Sequence, residues 1–415
     1  MKLTFLGGAM EVGKSSVLLE TDGLKVVFDS GIKLTEPPTT PIGAEDVDAA
    51  FLSHAHLDHC GNLPALHRVN RMPVYGTPIT FELSHMIQAD SIKINKLKGY
   101  PLTYSEKDIA RMVEGEIHVQ YERQYRFHDK VDFRFIDAGH IPGSAGILVE
   151  SSEKSVFYTG DTHSTDTRLM KKAQFPEHAD VVISESTYGN RMHPPRKEVE
   201  KQLLDEVDEV LGREGVALLP VFAIGRTQEI LLLLKDLEWP VYLDGMSKKA
   251  SQVIMKHPDM VKNSMQLQEA VDNTLWIKDS NQRKRICKEP CIIVTTAGML
   301  EGGPVMDYIR YLHKDANSNI ILTGYQVEDT NGHLLMEKGY ILDQLSNNKF
   351  KVAMKVSQYD FSAHSDRDEL ERTIKAMNPE HVVLMHGARE SIEDLKTRFE
   401  GITVHTPELG QEIEL

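Results

Sequence analysis

A chain of 415 residues is too long for one hydrophobic core, and at roughly 100–200 residues per domain it is expected to form two or three units. Hydrophobic content of 40% and charged content of 26% are ordinary for a globular protein, and no apolar run approaches the roughly 20 residues that span a bilayer. The net charge of −15 argues against a surface that coats nucleic acid, though it leaves room for a local basic groove or for bound metal ions. From the N-terminus the chain reads as short strands near residues 25–29, 49–54, 131–137, 155–161 and 181–185, each an apolar or β-branched run closed by Gly, Asp, His or Glu. Residues 81–114 read as helical, with a break at Gly99-Tyr100-Pro101. From about residue 195 helices and strands alternate: helix 198–211, strand 216–222, helix 226–237, strand 241–243, helix 248–257, strand 291–296, helix 305–312 and strand 319–322. That alternation predicts a doubly wound parallel sheet. After residue 355 the first rhythm returns, clearest at residues 381–387. The expected organisation is therefore a first domain built from residues 1–190 and 356–415, with a second domain, 191–355, inserted into it. The first residues lack the long apolar run of a secretory signal, and Cys60, Cys287 and Cys291 are too few for a disulfide framework. Both point to the cytoplasm, with the cysteines as packing residues.

Asp29, His54, His140, Asp161, Glu185 and His386 each stand at, or just past, the C-terminal end of an apolar run. In a sheet protein such endings collect polar side chains along one edge. The densest group is His54, His56, Asp58 and His59. Two histidines at i and i+2 of an extended segment point the same way and can share a metal ion. Asp58 and His59 follow where a turn or helix begins and can face a second ion. Imidazole nitrogen combined with carboxylate oxygen suits zinc.

This pattern resembles the metallo-β-lactamase superfamily, in which Asp29, His140 (in Ala138-Gly139-His140-Ile141-Pro142-Gly143) and Asp161 (in Thr159-Gly160-Asp161) match further motifs. Ser184-Glu185-Ser186-Thr187-Tyr188-Gly189, Phe361-Ser362-Ala363-His364-Ser365-Asp366 and Met385-His386-Gly387 resemble the three additional motifs of its β-CASP nucleases. Within that group the chain resembles archaeal cleavage and polyadenylation specificity factor-like and RNase J-like enzymes. The resemblance implies an α/β fold, a metallo-β-lactamase αββα sandwich with an inserted doubly wound parallel α/β (β-CASP) domain. It implies two Zn2+ ions: one on His54, His56 and His140, the other on Asp58, His59 and His386, with Asp161 bridging. Asp29 would hold the ligand loop, Asp58 would orient the attacking water, and His364, oriented by Glu185, would be the general acid. Histidine at position 386, where the DNA-processing branch tends to have valine, points to RNA.

The implied function is zinc-dependent hydrolysis of single-stranded RNA, as endonuclease or 5′-to-3′ exonuclease or both, leaving 5′-phosphate and 3′-hydroxyl ends. The alternatives are a two-zinc thioesterase or lactonase of the same fold, and a non-catalytic RNA-processing scaffold. A homodimer or an RNA-processing complex is the expected assembly, and no membrane is involved. In the inserted domain, Gly225 and Arg226 begin a helix. Open backbone N–H groups there would favour an anion, the resemblance to the family's Gly-Arg-x-Gln-Glu segment implies that Arg226 takes a phosphate, and Lys248 is a weaker candidate for the substrate groove, with charged surface as its alternative. Asp366 is open between a site residue and a helix cap.

Overall fold

In the strand Leu24–Phe28, Val26 and Phe28 face one way and Val27 the other, and all three are buried. A strand apolar on both faces needs cover on both. Val26 and Phe28 join Phe51, Phe133, Phe135, Tyr158 and Ile183 in a core between two seven-stranded sheets. Val27 joins Leu52, Leu63, Leu66 and Phe81, under the helices Leu63–Asn70 and Pro78–Lys98. On the far face of the other sheet, Phe157, Val182 and Leu384 pack against Leu370, Ile374, Ile392 and Leu395 of the helices Arg367–Ala376 and Arg389–Lys396. The layers are thus helix, sheet, sheet, helix.

The computed structural model describes residues 1–327, 330–343 and 348–415. They divide into two units. The sandwich comprises Met1–Asp166, Met170–Met192 and Ala363–Leu415, and the second unit comprises Thr167–Leu169 and His193–Ser362. In the sandwich, Leu24–Phe28 pairs in parallel with Ala49–Phe51. In the other sheet Ser155–Tyr158, Val181–Glu185 and His381–Met385 run parallel as neighbours. Within each of these groups the C-terminal ends share one edge, and Asp29, His54, Asp161, Glu185 and His386 stand at them.

The second unit holds a six-stranded sheet in the order Leu275–Trp276, Val241–Asp244, Cys291–Thr295, Val216–Pro220, Asn319–Leu322 and Lys355–Gln358, with every neighbouring pair parallel. The last strand lies beyond the expected boundary at 355. Its residues pair in register with Asn319–Leu322, so the second unit continues to Ser362. Thr167–Leu169 also departs from the expected division. Glu229 accepts the amides of Arg168 and Leu169 at 3.1 and 2.7 Å, and the Lys262 amide donates to the Leu169 carbonyl at 2.8 Å. The three cysteines are free thiols, and burial pushes that of Cys60 up to about 12. No helix among the described residues is long and apolar enough to cross a membrane.

Candidate metal centre

Asp29 follows its strand with φ +57°, a left-handed conformation unusual for a non-glycine residue. Four donors converge on its carboxylate: the Ser53 amide at 2.7 Å, the Ser53 hydroxyl at 2.6 Å, His59 Nδ1 at 2.7 Å and the Tyr158 hydroxyl at 2.8 Å. The loop after Asp29 is pressed against the loop that carries Asp58 and His59. The Ser15 amide donates to the Asp58 carbonyl and the Ser30 amide to the His59 carbonyl, both at 2.8 Å. A Cβ at Gly31 would stand 1.7 Å from the Asp58 carbonyl oxygen, so only glycine permits this approach.

Against this support stand two groups of donors. His54, His56, His140 and Asp161 form one, and Asp58, His59 and His386 the other; in each group the candidate ligand atoms lie within 4.8 Å of one another. Asp161 reaches both. Its Oδ2 is 3.4 Å from His54 Nε2 and 3.7 Å from His140 Nε2, and its Oδ1 is 3.3 Å from both His59 Nε2 and His386 Nδ1. His386 Nε2 is 3.2 Å from Asp58 Oδ2. The structure therefore brings together every residue expected to ligate metal.

Three observations fit a cation at this cluster. First, His54 Nε2 and Asp161 Oδ1 are buried with no hydrogen-bond partner among the described residues, an arrangement costly without a ligand. Second, His140 Nδ1 donates to the Ala363 carbonyl at 2.7 Å, so its Nε2 carries a lone pair into the cluster, while His59 Nδ1 is held by Asp29 and its Nε2 faces Asp161. Third, burial, reinforced by neighbouring imidazoles, depresses the pKa of His54 and His140 and brings that of His56 to about 3. These rings are neutral, the state that binds a metal. Against the cost of its own burial, His59 and then His386 hold the Asp161 carboxyl well below the usual range. Nitrogen and carboxylate donors in this mixture suit zinc.

A third arrangement lies at the same edge. Glu185, the last residue of its strand, accepts the Thr162 amide on Oε1 at 2.6 Å and His364 Nδ1 on Oε2 at 2.8 Å. The Glu185 side chain is 1% exposed, whereas that of His364 is 21% exposed. Burial works against a charged His364, but Glu185 and then Asp161 outweigh it and raise the ring's pKa to about 9. The backbone of this segment is fastened too. His163 Nδ1 lies 3.0 Å from the His364 carbonyl, the Ser365 amide donates to the Thr162 carbonyl at 2.7 Å, and Ser365 Oγ accepts the Ser164 amide at 3.0 Å. His163 and Ser365 were not singled out as site residues, and the only sequence signal for His163 was its place two residues after Asp161. Asp366, left open by the sequence, caps the helix Arg367–Ala376 by accepting the Glu369 amide.

The helix start at Gly225 corrects one expectation. Its backbone N–H groups are already engaged: Gly225 N donates to Gln228 Oε1 at 2.8 Å, Arg226 N to the Ile224 carbonyl at 3.0 Å and Thr227 N to the Phe222 carbonyl at 3.1 Å. An anion finds no open amides at these positions, and what Gly225 contributes is φ +79°. The Arg226 guanidinium donates to the Thr323 carbonyl at 2.7 Å. Lys248 donates to the Ile277 carbonyl at 2.5 Å and lies 3.4 Å from Asp244, so it serves the interior of the second unit.

Residues 10–221 match the model of the Metallo-beta-lactamase superfamily and residues 227–335 that of the Beta-Casp domain. Residues 349–407 match a model described as a Zn-dependent metallo-hydrolase RNA specificity domain. A protein of Methanocaldococcus jannaschii named Probable RNase MJ4 is 38% identical, with 100% of both chains covered. RNase aCSPSF2 of Saccharolobus solfataricus is 34% identical over 100% of this chain and 85% of its own. The transcription termination factor FttA of M. jannaschii is 33% identical over 95% of this chain and 68% of its own. Among solved structures, a protein of unknown function from Enterococcus faecalis V583 covers 100% of this chain with a TM-score of 0.61 at 15% identity, a likeness of fold alone.

Proposed function

The chain belongs to the metallo-β-lactamase superfamily, in its β-CASP group, and we propose that it hydrolyses the phosphodiester bonds of single-stranded RNA with two zinc ions. The observation that carries this reading is the His364–Glu185 pair beside two donor groups that share Asp161. His54, His56 and His140 would hold one ion, Asp58, His59 and His386 the other, and Asp161 both. When bound, the ions supply positive charge to the phosphate oxygens and make a water acidic enough to attack near neutral pH.

The chain's own residues do the rest. Asp58 is the most exposed carboxylate of the set, at 29%, and its carboxylate is the group to orient the attacking water and receive a proton from it. The water oxygen bonds to phosphorus and the P–O3′ bond breaks. His364, held protonated by Glu185 on its Nδ1 side, gives the proton on Nε2 to the departing O3′. The ends formed are a 5′-phosphate and a 3′-hydroxyl. Asp29 keeps the His59 ring in register through Nδ1. In the second unit, the Arg226 guanidinium is the group to take a backbone phosphate.

The test is incubation of the zinc-loaded protein with end-labelled RNA carrying a 5′-monophosphate or a 5′-triphosphate, beside thioester and lactone substrates. Cleavage with 5′-phosphate and 3′-hydroxyl ends is expected. A 2′,3′-cyclic phosphate would overturn the mechanism, because the 2′-hydroxyl would then be the nucleophile. Turnover of the thioester or lactone without RNA cleavage would overturn the substrate. Mononucleotides whose release the triphosphate blocks assign an exonuclease, and discrete internal fragments assign an endonuclease.

A further inference from the structure

Two aromatic rings are exposed at the C-terminal edge of the parallel sheet in the second unit. Phe222, 41% exposed, follows the strand Val216–Pro220, and Tyr325, 54% exposed, follows the neighbouring strand Asn319–Leu322. The carboxyl ends of parallel strands are where open α/β sheets take ligands. The neighbouring loops leave the Phe222 ring uncovered because two of their residues are glycines. A Cβ at Gly298 would lie 3.6 Å from Phe222 Cδ2, and one at Gly324 would lie 4.0 Å from its Cε2.

The backbone that presents these rings is tightly held. The Thr227 hydroxyl donates to the Phe222 carbonyl at 2.7 Å. On the other loop, Arg226 donates to the Thr323 carbonyl at 2.7 Å, while Gln326 and Gln358 donate to the Gly324 carbonyl at 3.2 and 2.8 Å. Exposed rings on a pinned backbone bind with little loss of conformational freedom. The Arg226 guanidinium reaches the loop at the residue before Gly324, which places a positive charge on the loop that carries Tyr325, two residues before that ring. A flat apolar face next to a guanidinium matches one chemistry in particular, a nucleobase attached to a phosphate.

We propose that Phe222 and Tyr325 form a stacking platform for bases of single-stranded RNA, with Arg226 on the intervening phosphate. The proposal rests on the ribonuclease reading for its ligand, but it concerns base contacts that hydrolysis itself does not require. Stacking on an aromatic ring is indifferent to base identity, so the platform would grip RNA without selecting sequence.

The experiment is a cycle with two modifications. Wild type, Phe222→Ala and Tyr325→Ala are compared on a short oligoadenylate and on the same oligomer with abasic sites scanned along it. Binding is followed by fluorescence anisotropy and cleavage by kcat/KM. Each alanine variant is expected to weaken the base-bearing oligomer by about tenfold. It is expected to have no further effect where the abasic site already removes the stacked base. Tyr325→Phe and Phe222→Tyr, which keep a ring, should restore binding, and a thermal melt identifies any variant that has failed to fold. Equal losses on both oligomers, or no loss on either, would overturn the platform. If the wild type binds RNA through this cycle but cleaves nothing, the platform stands and the ribonuclease reading falls. If a protein or acidic peptide competes with RNA for the rings while the abasic cycle is flat, the platform is a protein-docking site and the proposal is overturned.

Discussion

Glu185 gives both carboxylate oxygens to hydrogen bonds, one of them with His364, and so fixes that ring outside the two groups of imidazoles, although His364, Glu185 and Asp161 also bring donor atoms within 4.8 Å of one another. His386, by contrast, faces Asp58 and Asp161 through its two nitrogens. The two histidines should therefore fail differently. His364→Ala is expected to lower turnover on the order of 10²–10⁴-fold, the range for losing a general acid. Zinc content should stay at the wild-type level. His386→Ala should lose metal, and elemental analysis of the two purified variants separates the cases; metal loss in His364→Ala would make that residue a ligand. At this scale the sequence was informative wherever a role falls to a side chain next to others of its kind, as at His54, His56, Asp58 and His59. For His163 it offered only closeness to Asp161, and it gave Ser365 no role of its own. These act on backbone groups of residues about 200 positions away, and spacing along the chain carries no trace of such contacts.

At the scale of elements, Asp180 ties two parallel strands together where they begin. Its carboxylate accepts the amide and hydroxyl of Ser155, each at 2.7 Å, and lies 3.0 Å from His178 Nε2. Its carbonyl accepts the His381 amide at 3.0 Å. Burial opposes the charged form, but Ser155 and His178 outweigh it and hold the carboxyl down to about 2. A folded pKa below the unfolded value of about 3.9 stabilises the protein above that value, and the gain disappears as pH falls through the folded one. The stability difference between wild type and Asp180→Asn in urea should therefore be full at pH 6 and shrink as the pH is lowered from about 4 toward 2. A difference that stays constant over that window would mean the carboxylate's charge contributes nothing. Strand and helix positions were legible at this scale because apolar alternation and helix periodicity are local. The start of the helix at Arg226 was legible too, but not the state of its first amides, because the Gln228 side chain folds back onto Gly225 and occupies an amide the sequence suggested was open.

Across the whole molecule, the alternation of strand and helix announced an inserted unit, and the structure contains one. Its edges were harder to read. Thr167–Leu169 belongs to it through Glu200, Glu229 and Lys262, contacts between segments about 30, 60 and 95 residues apart. The candidate metal cluster draws on both sheets of the sandwich, so an ion bound there would cross-link them. Chelation should lower the melting temperature by about 5 °C or more, and zinc should restore it, since a ligand that binds only the folded state adds about 2.7 kcal/mol at a hundred times its Kd. Calorimetry with and without chelator checks this, and an unchanged melt would mean that the cluster holds no stabilising ion.

The wide separation of His386 from the other donors has a consequence for biosynthesis. His54, His56, Asp58 and His59 leave the ribosome early, while His364 and His386 lie beyond the entire second unit. A polypeptide whose translation halts anywhere before residue 364 carries neither the proposed proton donor nor the last proposed ligand. With those proposed roles, unfinished copies of the enzyme would be born inert, beside a ribosome that is itself largely RNA.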